Sequence, residues 1–447
     1  MKKIKVRNTY NIAISGRPSE SVSSQGHVER VAVLPSSISS IKPKLLVKKG
    51  DLVKIGSPLF RDKQNESLVF LSPGGGRVED VVYGEKRSLD QVIISLDADE
   101  QLESFPVFSY DQVRLFKREE LVRAIVLGGL WPIFRSYPFL SIPSPDVEPP
   151  AIYVTIDNDE PFLPNAQVYL NDRIEDLKFA LMVLRRLSKS VYVGVSEKSG
   201  ELKRLLQDDV THELEGDYPA NDPGVFLYYN KQSQDENVSW GVKGQDLLRL
   251  ASLLKEGRYP TERVVTLGGS LVKRPRHILA REGVSIRDLL GESVSSEPAR
   301  YIAGGVLRGR RTSLNSFLGY QDFGLNVIRE GKELEMLSFF RPGFDKPTSG
   351  RTYLSALLKG VDFDMTSSLN GGDRACISCA KCPSVCPVDL LPQVVMKSLY
   401  VGDIEEAISL GFLDCVQCGL CTYVCPSKIN LDQIFADGKE TIKKEAS

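Results

Sequence analysis

The chain has 447 residues, of which 42% are hydrophobic and 26% are charged, and this composition is that of a soluble globular protein with several domains. Its formal net charge of −1 gives no global electrostatic case for binding nucleic acid. No apolar run approaches the roughly 18–20 residues of a membrane helix, and the basic N-terminus lacks the apolar segment of a signal peptide. We therefore expect a cytoplasmic protein that can dock on a membrane complex through its surface.

Residues 1–100 are predicted to form short strands joined by turns. Apolar positions in Val47–Leu59 alternate around glycine turns, a pattern that resembles biotinyl/lipoyl-like barrel-sandwich domains. Carriers of that family bear a modified lysine at a hairpin tip, and Lys63 lies near this place. The neighbouring Gln64–Glu66 does not match a carrier hairpin, which favours a solvated turn lysine. Gly74–Gly76 opens no helix, so we interpret it as a turn between strands and not as a phosphate loop.

Residues 101–258 alternate between helical and strand patterns, which favours a Rossmann-like α/β domain with a mostly parallel sheet. The helical patterns lie at Arg118–Leu130, Asp172–Ser188 and Gly244–Glu256, and the β-rich runs at Ile152–Ile156 and Val191–Val195.

The remaining chain divides into three segments. Residues 259–330 predict a small β-rich domain with one short helix, from patterns at Arg263–Leu267, Gly283–Leu290 and Tyr301–Gly304. Residues 331–372 are interpreted as a connector that ends in the polar turn Asn370–Asp373. Residues 373–447 form a cysteine-rich tail, with helices predicted at Asp389–Tyr400, Ile404–Gly411 and Leu431–Lys444. Because the predicted β-rich and α/β cores all precede the tail, we expect metal to stabilise the tail and the rest to fold without it.

All eight cysteines lie in the tail, from Cys376 onward, and this clustering points to metal binding and not to a disulfide scaffold. They form two equal runs of the pattern C-x2-C-x2-C-x3-C-P, which are Cys376, Cys379, Cys382 and Cys386, and then Cys415, Cys418, Cys421 and Cys425. In such a run, three thiolates bind one [4Fe–4S] cluster and the fourth reaches the other cluster.

The spacing therefore predicts two clusters with exchanged ligands. Cluster 1 is expected on Cys376, Cys379, Cys382 and Cys425, and cluster 2 on Cys415, Cys418, Cys421 and Cys386. The alternative metal is zinc, but structural zinc sites use paired C-x2-C units with four ligands per ion. Three closely spaced cysteines plus one, repeated, do not match that arrangement.

Other motifs of nucleotide binding or hydrolysis are absent from the sequence, since it contains no G-x-G-x-x-G, Walker A, G-x-S-x-G or H-E-x-x-H pattern. His27, His212 and His277 are far apart in sequence and are interpreted as surface or structural residues. The basic stretch Lys273–Arg276, with Arg281, could meet a phosphate or an acidic partner, although a solvated face is favoured.

The order of these segments resembles the A subunit of the Na⁺-translocating NADH:quinone oxidoreductase family, in which the β-rich domain is SLBB-like. The stretches that carry the resemblance are Ile12–Glu20, Val47–Leu59, Gly128–Pro138, Tyr259–Gly269 and Arg341–Gly360, followed by Asp364–Thr366 and Asn370–Gly371. The complete cysteine motifs depart from that family. In this respect the tail is similar to the C subunit of the Rnf complex and predicts a helical 2[4Fe–4S] ferredoxin-like domain.

The Rnf-type relative holds FMN and NADH on a glycine-rich loop, and the corresponding place here is Gly128–Pro132. Trp131 and Pro132 replace the small residues that let backbone amides approach a phosphate. We therefore expect neither FMN nor NADH in this chain. The resemblance also implies a link to quinone, for which no residue can be assigned.

These observations predict a peripheral electron-transfer subunit on the inner face of the cell membrane, docked on the membrane-embedded subunits of a Na⁺-translocating NADH:quinone oxidoreductase. On its own the chain is not expected to be catalytic. Two alternatives remain open. One is an Rnf C-type subunit that binds FMN and NADH, and the other is an assembly scaffold without a redox role.

Overall fold

The computed structural model describes residues 1–113, 115–158, 160–294, 297–331, 340, 342–347, 353–358, 360–367 and 374–445. Much of the predicted connector, including the turn Asn370–Asp373, lies outside these residues. The strands are β1 (Lys2–Lys5), β2 (Val22–Ser24), β3 (Arg30–Val33), β4 (Pro43–Leu45), β5 (Leu52–Val53), β6 (Pro58–Asp62), β7 (Val69–Leu71), β8 (Gly76–Tyr83), β9 (Leu89–Leu96), β10 (Arg135–Ser136), β11 (Ile152–Thr155), β12 (Val191–Ser196), β13 (His212–Glu215), β14 (Trp240–Lys243), β15 (Glu262–Gly268), β16 (Arg276–Arg281), β17 (Ala299–Ala303), β18 (Arg310–Thr312) and β19 (Gly324–Arg329). The helices are α1 (Tyr110–Val113), α2 (Arg118–Leu127), α3 (Ala166–Leu170), α4 (Ile174–Leu187), α5 (Gly200–Leu206), α6 (Pro223–Asn230), α7 (Gly244–Glu256), α8 (Ile286–Leu290), α9 (Pro392–Tyr400), α10 (Ile404–Ser409), α11 (Leu420–Tyr423) and α12 (Leu431–Glu445).

Two small sheets enclose the first core, as the sequence predicts. One has the order β3-β9-β8-β5 and the other β4-β6-β7. Leu59, Phe60 and Ile94 are buried between them. Lys63 is exposed in the loop between β6 and β7, and Gly74–Gly76 joins β7 to β8 without a helix. Both loops are thus strand connections.

The α/β sheet has the order β1-β13-β12-β11-β14-β10, and all of its neighbours are parallel except β14 and β10. Side chains of a strand alternate between the two faces of a sheet. Accordingly, Ile152 and Val154 of β11 pack in the cluster formed by α2, α4 and α7. Tyr153 between them packs on the opposite face, with Phe226 of α6. This second face also contacts the cysteine-rich tail.

The sequence predicts one domain over residues 1–100, but two strands within residues 1–24 belong to other sheets. β1 is the edge strand of the α/β sheet, next to β13, and β2 pairs with β16 of the third sheet. The sequence KKIK has one apolar residue, so its hydrophobic pattern gives no signal for this placement. Charge complementarity stabilises it, since the Nζ atoms of Lys3 and Lys5 lie 3.0 and 2.8 Å from carboxylate oxygens of Glu215.

The third sheet has the order β18-β17-β19-β15-β16-β2 and carries the short helix α8 on a buried apolar core that includes Leu267 and Leu325. In the tail, α9, α10 and α12 enclose a small core around Phe412 and Phe435. None of the helices in the described part of the chain is long and apolar enough to cross a membrane.

Candidate metal centres in the cysteine-rich tail

The two cysteine runs have the same backbone course. Three residues of the first run with positive φ, Ser378 (54°), Ala380 (56°) and Asp389 (51°), recur 39 positions later as Gln417 (52°), Gly419 (76°) and Lys428 (61°). Left-handed residues are uncommon outside glycine, so their recurrence marks a shared local structure. In each run, two of them flank the second cysteine. The chain therefore curls around that thiol.

The first cavity lies among four cysteines and has an empty volume of about 380 Å³. Cys376, Cys379 and Cys382 of the first run line it together with Cys425 of the second run. The two runs are connected here, because the amide of Arg374 donates to the carbonyl of Ser427 at 3.1 Å.

The second cavity has an empty volume of about 370 Å³. Here three cysteines come from the second run and one from the first. Its cysteines are Cys415, Cys418 and Cys421 of the second run and Cys386 of the first. Each cavity thus collects three cysteines of one run and one of the other. Within the described residues, no group of three or more His, Cys, Asp or Glu side chains is positioned to hold a metal ion. The cysteines line the two cavities and do not converge on the position of a single ion.

The first cavity is close to the surface. Cys379 is exposed, whereas Cys382 is half-buried and its Sγ donates to Oε1 of Gln393 at 3.3 Å. Burial raises the pKa of the Cys382 thiol to about 11. Gln393 is the second residue of α9, so this helix places an amide beside the sulfur.

The second cavity is deeper. Burial raises the pKa of Cys386 to about 12 and also raises those of Cys415, Cys418 and Cys421. These thiols therefore favour the protonated form in the metal-free fold, and a metal must displace their protons on binding. Soft thiolate ligands suit iron–sulfur clusters, so four thiols around each cavity fit such a group.

The second cavity is held by residues from outside the tail. Tyr218 donates its hydroxyl to the carbonyl of Cys418 at 2.8 Å, and Asn8 donates to that of Cys386 at 3.1 Å. Arg308, from the third sheet region, donates to Asp222 at 2.6 Å and to the carbonyl of Val416 at 3.3 Å. Three separate parts of the chain thus fix the cysteine loops.

The tail also shares an apolar core with the α/β domain. Buried side chains of the tail, including Val416 and Leu420, join Tyr218, Leu214 and Phe226 in one cluster. The α/β core is therefore not confined to the residues before the tail, whereas the sequence analysis predicts that it is. The reason is that the face of the α/β sheet bearing Tyr153 is covered partly by the tail.

Lys439 is a buried polar residue of the tail that the cysteine pattern does not predict. Its Nζ lies 2.5 Å from the carbonyl oxygen of Pro138, 2.6 Å from that of Cys415 and 3.3 Å from that of Leu413. Burial lowers its pKa. One signal was available, because position 439 follows Phe435 by four residues and falls on the apolar face of α12.

The three histidines and the basic stretch at Lys273–Arg276 lie outside the linings of the cysteine cavities, and some of them are exposed. His212 packs on Tyr192 and Phe226, and Nδ1 of His277 lies 2.8 Å from Oγ1 of Thr266, whereas His27 is exposed. Lys273 and Arg274 are solvated.

Two further residues from the sequence analysis join separate parts of the fold. Arg281 pairs with Glu100 at 2.6 Å and so connects the third sheet to the barrel-sandwich region. Trp131 is fully buried against Trp240 and donates its indole N–H to the carbonyl of Pro143 at 2.8 Å.

Comparison with family models matches four consecutive segments of the chain. They are the NqrA N-terminal barrel-sandwich hybrid domain at residues 4–97, the NqrA second alpha/beta domain at 116–259, the NQRA C-terminal domain, an SLBB domain, at 264–313, and a 4Fe-4S dicluster domain at 375–430.

Curated relatives match along nearly the whole length. The chain is 32% identical over 413 residues to the A subunit of the Na(+)-translocating NADH-quinone reductase of Neisseria meningitidis strain MC58, and 32% identical over 411 residues to that of Marinomonas sp. strain MWYL1. In both cases the match covers 92% of each chain. A solved NAD+-reducing [NiFe]-hydrogenase aligns over 52% of each chain with 10% identity and a TM-score of 0.33.

Proposed function

Because the chain belongs to the family of the A subunit of the Na(+)-translocating NADH-quinone reductase, we propose that it is an electron-transfer subunit of such a complex. Electrons pass through two [4Fe–4S] clusters in its tail. The relatives are named as subunits of an oxidoreductase, and the match to a 4Fe-4S dicluster domain supports iron–sulfur clusters as the electron carriers.

The observation that carries this proposal is the sorting of eight cysteines around two cavities. Cluster 1 takes Cys376, Cys379, Cys382 and Cys425, and cluster 2 takes Cys415, Cys418, Cys421 and Cys386. The linings of the two cavities support these sets. Exchange of one ligand between the runs keeps the clusters close together, which suits successive one-electron steps.

The chain's own residues position the ligands and exclude water. When bound, each cluster accepts and releases one electron. Cysteine loops with left-handed residues direct the thiolates inward, while Tyr218 and Asn8 hold the carbonyls of Cys418 and Cys386. Apolar side chains on the face of the α/β sheet would shield a cluster in the second cavity from water, whereas the exposed Cys379 would leave a cluster in the first cavity near the solvent. A cluster in the first cavity would therefore be the one within reach of a partner's redox group.

The complex supplies what this chain does not. The proposed partners are membrane-embedded subunits, on whose cytoplasmic face the chain docks as a peripheral subunit, and quinone is the acceptor of the whole complex. The α/β unit is proposed to be Rossmann-like in its connectivity. The proposed domain limits are residues 1–100, 101–258, 259–330, 331–372 and 373–447. Two strands of the first segment pair elsewhere, β1 with the sheet of the second segment and β2 with the sheet of the third.

Metal and sulfide analysis of anaerobically purified protein tests this function. We expect roughly eight iron atoms and eight sulfides per chain, with visible charge-transfer absorption that bleaches on reduction. One or two zinc ions and no such absorption would overturn the electron-transfer role and leave the scaffold alternative. Stoichiometric FMN in the preparation would instead favour the Rnf C-type alternative.

A further inference from the structure

A buried lysine stands beside the second cavity without a carboxylate to balance it. Lys439 of α12 is only 3% exposed. Among the described residues it forms no ion pair, and Asp414, an acidic side chain whose charge acts on it, is already bonded to Lys231 at 2.6 Å. Burial of an unpaired charge is costly, so such a residue needs a reason.

The surroundings of the Lys439 Nζ atom match the ammonium form. This atom is within 3.3 Å of three carbonyl oxygens, those of Pro138, Leu413 and Cys415. An ammonium has three hydrogens to donate, whereas a neutral amine has two. Three acceptors around one nitrogen therefore fit the ammonium form, and the site is built for a positive charge.

The charge of Lys439 lies next to the second cavity and not the first. Asp432 and Phe435 of α12 line the second cavity. Lys439 lies on the same face of this helix, one turn after Phe435 and two turns after Asp432. One of its acceptors is the carbonyl of Cys415, whose thiol lines the same cavity. At the first cavity the corresponding polar neighbour of a cysteine is the neutral amide of Gln393.

We propose that the buried ammonium of Lys439 raises the reduction potential of cluster 2. The inner cluster then accepts an electron more readily than it would in the same buried site without this cation. This inference rests on the proposed function. Reduction adds one electron and no proton, so the cluster with its thiolates gains one negative charge. Burial disfavours that gain, and a nearby ammonium in the same low-dielectric region favours it. Cluster 1, which faces solvent, does not depend on this cation.

The test is a redox titration of the whole chain, followed by EPR, in wild type and in Lys439→Met. Methionine keeps an unbranched apolar stem and removes the charge. We expect the midpoint potential of cluster 2 to fall and that of cluster 1 to stay within error. Lys444→Met is the matched control, because Lys444 lies on the same helix and is 71% exposed in a surface pair with Glu440.

Two further variants separate charge from hydrogen bonding. Lys439→Arg keeps the charge and is expected to keep the potential nearer to wild type. Lys439→Gln can still donate to the carbonyls and is expected to resemble Lys439→Met. A wild-type potential in Lys439→Gln, or loss of cluster 2 from both neutral variants, would show a purely structural role and overturn the inference. Wild-type protein without two EPR-active clusters would instead overturn the proposed function.

Discussion

At the scale of single residues, the assignment of the fourth cysteine of each run decides how the clusters are held. Cys386 lies between two Pro residues, Pro383 and Pro387, and the fixed φ of Pro387 limits the direction in which the chain leaves the first loop. Its side chain lines the cavity of the second run. The sequence could predict this exchange because the C-x3-C-P spacing itself carries the information.

Cys386→Ala should therefore damage cluster 2 and resemble Cys418→Ala. Removal of one ligand leaves one iron exposed, so that the cluster converts to a [3Fe–4S] form or is lost. EPR spectra recorded before bleaching give the measurement, with Cys379→Ala as the control that removes a ligand of cluster 1. If Cys386→Ala and Cys379→Ala lose the same component, each run binds its own cluster and the exchange model fails.

His277 links stability to pH. It is buried next to Thr266, and burial lowers its pKa below that of the unfolded chain. As pH falls through about 6.5, the unfolded chain takes up a proton that the folded chain resists, so the free energy of unfolding decreases. The loss is about 1.4 kcal/mol for each unit of pKa difference and ends below the folded pKa.

Urea unfolding of His277→Gln and wild type at pH values from about 7.5 to about 5 measures this contribution. We expect the variant to lose less stability over that interval, although it starts from a lower value because its packing is changed. Cluster loss at acid pH affects both proteins alike, so the difference between them reports on His277. Equal slopes in the two proteins would show that this imidazole does not titrate on unfolding.

At the scale of elements, local patterns predict regular structure well and distant pairing poorly. α7 spans Gly244–Glu256 as predicted, because its apolar residues recur at helical spacing and Gly257 ends it in a left-handed conformation. In contrast, β1 pairs with β13, which lies far along the chain in the α/β domain. The single apolar residue of β1 carries no information about that partner.

The loop element around Gly419 allows a sharp prediction. Its φ is +76°, and a Cβ added there would lie 2.9 Å from the carbonyl oxygen of Leu307. Gly419→Ala therefore adds a steric clash to the left-handed strain of roughly 1–2 kcal/mol. We expect faster release of iron from cluster 2 to a chelator, measured as the rate of bleaching.

Gly402→Ala is the matched control for this loop. Gly402 also lies in the tail with φ +75°, but a Cβ there would have no atom within 4 Å. This variant incurs the conformational strain alone. If both variants release iron at the same rate, contact between the tail and the Leu307 region does not stabilise cluster 2.

At the scale of the whole molecule, the tail is joined to the α/β domain through apolar packing, hydrogen bonds and a buried cation. Three consecutive apolar residues, Ile152–Val154, begin β11 and indicate burial on both faces, but they do not show what covers each face. That information depends on the docking of a segment from the other end of the sequence. Local cysteine spacing is therefore enough to predict a ligand set, whereas the packing of the tail on the α/β sheet cannot be predicted from local patterns.

Deletion of residues 373–447 tests this joining, and the structure predicts the opposite of the expectation drawn from sequence. The truncated chain would expose the apolar face around Leu214, Tyr218 and Phe226, which Val416 and Leu420 cover in the intact fold. Exposed apolar patches of this kind promote association. We expect the product to aggregate, or to melt at a lower temperature and less cooperatively than the full chain.

Val416→Asp in the full chain is the point-variant counterpart, since it places a carboxylate in the shared core while the cysteines remain. Val401→Asp is its control, because Val401 is 80% exposed on the tail. Both can be compared by thermal unfolding and by size-exclusion chromatography. A soluble truncated product with the melting transition of the full chain would show that the α/β domain does not need the tail, and that the cluster domain is stabilised by its metal alone.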